Sequence, residues 1–182
     1  MKNNTLHIGL GVVLLLVFFS SCIKDTDFDK ADDILLNPFV DLDLIYFNLP
    51  ANRFFDSVTN TPVLIVKDTT ALPFLNDSEV RGNVKRIVFS FEVENSIQRE
   101  FQLDFEFLNR GNNVVYTSQM TVFSGTIENP TVVEFIDTVE GQDLLNLTKA
   151  QRLAVSVAIA SSNQNLSGNI NLQSIATYFI EF

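Results

Sequence analysis

The run Phe101-Gln102-Leu103-Asp104-Phe105-Glu106-Phe107 alternates apolar and polar side chains at every step. Successive side chains of a pleated strand point to opposite faces, so period two specifies a strand buried on one side only. A helix would scatter the same residues around its surface and bury charge beside Phe. Ile87, Phe89, Phe91 and Val93 repeat the pattern within residues 86–94, against Ser90, Glu92 and Glu94. Asn109-Arg110-Gly111-Asn112-Asn113 is turn chemistry, because Gly and Asn tolerate positive φ. Val114–Phe123 then supplies a return strand, which makes 101–123 a hairpin. Further strands are expected over 40–48, 61–66, 131–137, 153–160 and 175–182, with 170–172 open between the last strand and the loop before it. Leu144, Leu145 and Leu147 predict one short helix within 142–151. Pro50, Pro62 and Pro73 mark 48–80 as edge strands and long loops.

Many short strands with no helix–strand alternation point to an all-β fold. The expectation is an antiparallel β-sandwich, immunoglobulin-like or similarly Greek-key, with at most one short helix. The Cys–Trp–Cys hallmark of immunoglobulin domains is absent, since the chain has one Cys and no Trp. Its 17 Phe are the material of a packed core. The final Ala176-Thr177-Tyr178-Phe179-Ile180-Glu181-Phe182 also resembles the closing strand of an outer-membrane barrel. Barrel strands need about 9 to 11 residues and an outward apolar band. The charged alternate face of the strands here fits a sandwich instead.

The amino-terminal segment carries a different signal. Lys2, an apolar run from Leu6 to Phe19, and Ser20-Ser21 before Cys22 have the three parts of a secretory signal. The run is too short to span a bilayer comfortably at about 20 residues. Small residues just before the one cysteine resemble a bacterial lipoprotein signal, with Phe19 standing where Leu is usual. That resemblance implies residues 1–21 as signal peptide and Cys22 as the lipidated first residue of the mature protein. Several acyl chains anchor permanently, at about 0.8 kcal/mol per buried methylene. Residues 22–39 are then an acidic flexible tether, and 40–182 a single sandwich domain. Lys24 followed by Asp25, Asp27 and Asp29 resembles the export signal of surface lipoproteins of the Bacteroidota, of the flavobacterial type. It implies a lipid-anchored outer-membrane protein exposed at the cell surface. The same acids resemble a calcium loop, but Lys30 occupies the turn Gly and Leu36 the closing Glu.

Charge and residue absences exclude several activities. Removing residues 1–21 takes away Lys2 and no acid. The remaining 161 residues hold 11 Lys+Arg against 22 Asp+Glu, a net charge of −11. Such a chain repels nucleic acid. His7, the one histidine, leaves with the signal, and lipidation consumes the Cys22 thiol. Ser-His-Asp and Cys-His catalysis and most zinc sites need those groups. No motif asks for a cofactor, and no enzyme is expected.

Carboxylates are the one plentiful reactive group. Glu92 and Glu94 share one strand face, Asp104 and Glu106 another. Were those strands paired, four acids would share an outer face, as a glycosidase pair or cation site would require. A solvated sheet surface is the plainer reading. Asp56-Ser57-Val58, Asp68-Thr69-Thr70 and Asp137-Thr138-Val139 resemble the O-glycan acceptor of secreted Bacteroidota proteins, which would place sugars on Ser57, Thr69 and Thr138. Loops 109–113 and 161–168 are Asn-rich candidates for a partner-binding tip.

These observations lead to a surface-tethered lipoprotein acting as a non-enzymatic accessory subunit of an outer-membrane assembly, for uptake, secretion or biogenesis. Its partners would be the membrane, through Cys22, and an outer-membrane protein. The alternative is a carbohydrate-binding lipoprotein of a glycan-uptake system, which calls for an exposed Tyr or Phe platform.

Overall fold

The computed structural model describes residues 38–76 and 78–181. The expected signal, Cys22 and the expected tether as far as residue 37 lie outside the described residues, as do Asp77 and Phe182; Phe39, counted with that tether, instead opens the first strand. Ten strands follow in order: β1 (Phe39–Pro50), β2 (Phe55–Asp56), β3 (Thr61–Pro62), β4 (Ile65–Ala71), β5 (Val84–Asn95), β6 (Phe101–Leu108), β7 (Val114–Val122), β8 (Thr131–Val139), β9 (Arg152–Ile159) and β10 (Asn169–Ile180). Two four-stranded antiparallel sheets run β1-β10-β5-β8 and β4-β9-β6-β7, with β2-β3 a separate hairpin.

Set the small hairpin aside and count the long strands along the chain. First pairs with eighth, second with seventh, third with sixth and fourth with fifth. The chain is one long hairpin, folded back and rolled into two sheets. That is the order of a jelly roll of eight strands and two Greek keys. The expected antiparallel Greek-key sandwich is therefore present, and the strand order narrows it to the jelly-roll arrangement.

The two alternating segments face each other across the core. Phe89 stacks on Phe107 at 4.9 Å between ring centroids, and Phe91 packs tilted against Phe105 at 4.3 Å. All four Phe are buried. Aromatic pairs at such spacing contribute about 0.5–1.5 kcal/mol beyond the area they bury. Residues 96–100 carry the chain from one sheet to the other. Asn95 holds this arch from inside the core. Its amide donates to the carbonyls of Arg99 and Phe123, each at 2.8 Å, and its side-chain oxygen accepts from the Ile97 N–H at 2.8 Å. Gly125 passes so close that a Cβ there would lie 1.9 Å from the Asn95 carbonyl. Only Gly allows that approach.

The expected hairpin is present, with Phe101 opposite Val122 and Phe107 opposite Tyr116. Asn112 takes φ 63° in its turn, and the Asn109 side chain accepts from the N–H groups of Gly111 and Asn113. Residues 170–172 belong to β10, whose inner face runs unbroken from Ile170 to Ile180. The expected 61–66 strand splits into β3 and β4. Among the described residues two short α-helices stand where one was expected: α1 (Ser78–Asn83) and α2 (Gly141–Leu147). A six-residue helix is under two turns, too short to leave a readable period. No helix among the described residues is long and apolar enough to cross a membrane.

Candidate functional site

The four carboxylates singled out in the sequence do not meet. β5 lies in one sheet and β6 in the other, so Glu92 and Glu94 face outward on one side while Asp104 and Glu106 face outward on the opposite side. The pairing that would have joined them is replaced by the Asn95 arch. Alternation fixed which way each acid points and left the sheet undetermined.

The outer face of β1-β10-β5-β8 instead assembles a row from four distant segments. Tyr46 lies beside Gln173, Gln173 beside Glu92, and Glu92 beside Glu134. The next row reads Asp43, Ile175, Ser90 and Ile136. Each row crosses three strand gaps, about 14 Å at the usual interstrand spacing. A groove of about 680 Å³ runs over these two rows. Its size lies within the range of small-molecule sites, about 300–1,000 Å³.

Tyr46 owes its place to a β-bulge. The register of β1 against β10 shifts between Asp43 and Tyr46, so Leu44 and Ile45 together face Ser174. Outward positions are odd before the bulge, at Phe39, Asp41 and Asp43, and even after it, at Tyr46 and Asn48. Without the extra residue the Tyr46 ring would point into the core. Ser174 holds the bulge. Its buried hydroxyl accepts from the Ile45 N–H at 3.0 Å and donates to the Ile45 carbonyl at 2.7 Å. The adjacent apolar pair Leu44-Ile45, which breaks the alternation of 40–47, is the sequence signal that could have located it.

The groove is electrostatically one-sided. Asp43, Glu92 and Glu134 line it together with Tyr46, and no Lys, Arg or His does. Glu92 and Glu134 are direct cross-strand neighbours. Like charges so placed are destabilising, by a few tenths to about 1 kcal/mol. The ion pairs found among the described residues, Lys85–Glu181 at 3.4 Å and Arg86–Glu140 at 3.8 Å, involve none of the three. No group of three or more His, Cys, Asp or Glu among the described residues is arranged to hold a metal ion. Tyr46 is 69% exposed, so its ring is a platform open to solvent.

The other sequence candidates are placed as follows. Ser57, Thr69 and Thr138 are all exposed, on the β2–β3 turn, edge strand β4 and edge strand β8. Asp56, beside Ser57, is held below its ordinary value by the Thr59 hydroxyl and then by the N–H groups of Val58 and Thr59. Asp137, beside Thr138, accepts from the Tyr116 hydroxyl at 2.8 Å across the sheets. Burial, then this bond and the nearby charges of Asp137 and Asp143, push the Tyr116 phenol up. Loop 161–168 lies at the end of the sandwich away from Phe39, and loop 109–113 caps the β6–β7 hairpin.

Comparison with known proteins gives no family model and no curated protein that matches this chain. Solved structures match it at low identity. The VP2 subviral particle of infectious bursal disease virus is 6% identical over 80% of this chain and 33% of that one, with a TM-score of 0.48. A protein of Parabacteroides distasonis ATCC 8503 assigned as secreted is 10% identical over 63% of this chain and 38% of that one, at 0.41. The enzymatically active domain of tailspike protein 4 from bacteriophage CBA120 is 13% identical over 79% and 19%, at 0.40. This chain thus spans about a third of the VP2 chain.

Proposed function

We propose that this protein is a surface-tethered lipoprotein whose sandwich binds a glycan in the groove of the β1-β10-β5-β8 face. The observation that carries the reading is the Tyr46 ring, turned outward by a bulge and set in one row with Gln173, Glu92 and Glu134. A sugar ring offers an apolar face that packs on an aromatic platform and hydroxyls that donate to carboxylates. The sheet backbone beneath is already paired within the sheet, so recognition rests on side chains. Binding without chemistry is the role, and uptake is the process it would serve.

The full chain in detergent, screened on a glycan array and followed by calorimetry, tests this. Tyr46→Ala is expected to weaken binding by about 1–2 kcal/mol, roughly five- to thirtyfold, with the fold intact. An array with no retained glycan sinks the proposal.

The accessory-subunit reading draws on a separate observation. Val58, Phe123 and Ile127 are 91%, 60% and 61% exposed. All three lie in connections at the end where Pro50, Asn95, Thr131 and Asn169 meet, opposite Phe39, where the chain enters the sandwich. An outer-membrane partner would dock on that end. Replacing all three with Ser should then release a partner that co-purifies with the wild type in mild detergent, and recovery of an unchanged complex would refute it.

A further inference from the structure

Granting the glycan reading of the groove, we infer that its ligand is a chain bearing protonated amines, an aminoglycan, in preference to a neutral or acidic one. The lining supplies three carboxylates, Asp43, Glu92 and Glu134, one amide, Gln173, and no cation. Ionised carboxylates only accept hydrogen bonds. A uronate or sulfated sugar would bring more acceptors into an already negative groove and be repelled. No base lines the groove to offset that charge; Arg86, on the same face, lies four residues along β5 from Ser90 and pairs with Glu140. A neutral sugar can donate its hydroxyls, but leaves the Glu92–Glu134 repulsion as it stands. An ammonium between these two cross-strand neighbours donates to both and cancels the repulsion.

Tyr46 supports the same ligand. Its ring sits in the row of the two glutamates with Gln173 between them and Tyr46. A sugar stacked on Tyr46 sets its successor over Gln173 and Glu92, at interstrand steps of about 4.8 Å. The amine of the second ring then falls within reach of the carboxylates. A positive charge near an open aromatic face gains a further cation–π attraction.

Three oligosaccharides of equal length test the inference on the full chain in detergent, at about pH 6, where sugar amines are protonated. They are a glucosamine oligomer, its N-acetylated counterpart and a galacturonate oligomer. The glucosamine oligomer should bind about three- to tenfold more tightly than the acetylated one, as one or two exposed charge contacts allow. The galacturonate should not bind measurably. Raising salt from about 0.1 M to 1 M shortens the Debye length from about 10 to 3 Å, and should erase the preference while acetylated binding changes little. The double variant Glu92→Gln, Glu134→Gln should do the same at low salt. Asp104→Asn, on the opposite face, should leave it unchanged. Equal binding of the two glucosamine-based oligomers overturns the amine preference and leaves the glycan reading standing. Preferred binding of galacturonate overturns the charge argument alone. Failure of all three oligomers, or binding only to oligolysine, overturns both.

Discussion

The outer faces of the two sheets are built from the same period-two strands and hold different chemistry. The face of β4-β9-β6-β7 is mostly polar, with Ile65 of edge strand β4 an exposed apolar side chain. Its middle strand β9 presents Ala154, Ser156 and Ala158 between the Gln102 and Asp104 side of β6 and the Lys67 and Thr69 side of β4. There the Thr121 hydroxyl donates to Gln102 at 3.0 Å, and Gln102 donates to Asp104 at 3.3 Å. The face of β1-β10-β5-β8 exposes Phe39, Tyr46, Val132, Ile136 and Ile175 beside opposed carboxylates. Exposed apolar surface next to like charge costs stability, and nothing in folding requires it. Alternation alone makes a solvated sheet; a bulge and like-charged neighbours set the candidate site apart from it.

The largest expected effect lies in the interior that both faces share. Burial pushes the Tyr178 phenol up to about 12, from 10 in the unfolded chain. The folded state therefore keeps its proton where the unfolded state has lost it. Stability from this group is complete below about pH 10 and is lost as pH rises from there to 12, by about 2–3 kcal/mol. Denaturation followed across that range checks it. Tyr178→Phe should flatten the slope, and an unchanged slope would assign the loss elsewhere.

A matched pair of serines breaks the comparison directly. Ser174→Ala removes both bonds to the bulge and strands the Ile45 N–H and carbonyl, at a cost of about 1–3 kcal/mol. It should also weaken glycan binding, because Tyr46 loses its fixed aim. Ser156→Ala sits equally buried on the other sheet and should change stability by no more than about 0.5 kcal/mol. Urea titration and calorimetry read both. Equal losses would mean that the bulge has no special role.

The smallest effect has the opposite sign. Glu134→Lys turns the like-charge pair with Glu92 into an attractive one and should stabilise by about 0.5 kcal/mol while abolishing amine selectivity. The gain should fall in high salt. A destabilised variant would show that the two carboxylates do not repel.

Much of the fold was legible along the chain. The Phe101–Phe107 alternation named a strand and its buried face, and the Asn109–Asn113 turn named its partner. Both are local, since a strand's period and a two-strand turn involve neighbours in sequence. The site was not legible in the same way. Glu92 was seen, but was matched with Asp104 and Glu106, because no local signal distinguishes a hairpin from an arch between sheets. Gln173 and Glu134 drew no notice, being ordinary polar positions on alternating strands. Tyr46 carries no signal of its own, because its outward aim depends on the bulge against Ser174.

The sequence by itself determined most of the long strands and the buried face of the regular ones, the Phe-rich core and the net negative charge, because each depends on a residue and its near neighbours. Only the tertiary structure decided which sheet each strand joins and in which register. That choice brought residues 46, 92, 134 and 173 into one row and set Ser174 against Ile45, 129 positions away. Such pairings are fixed by packing of the whole roll, in which every strand among the described residues finds a partner and the buried Phe rings meet across the core. A period of two repeats identically whichever partner is chosen.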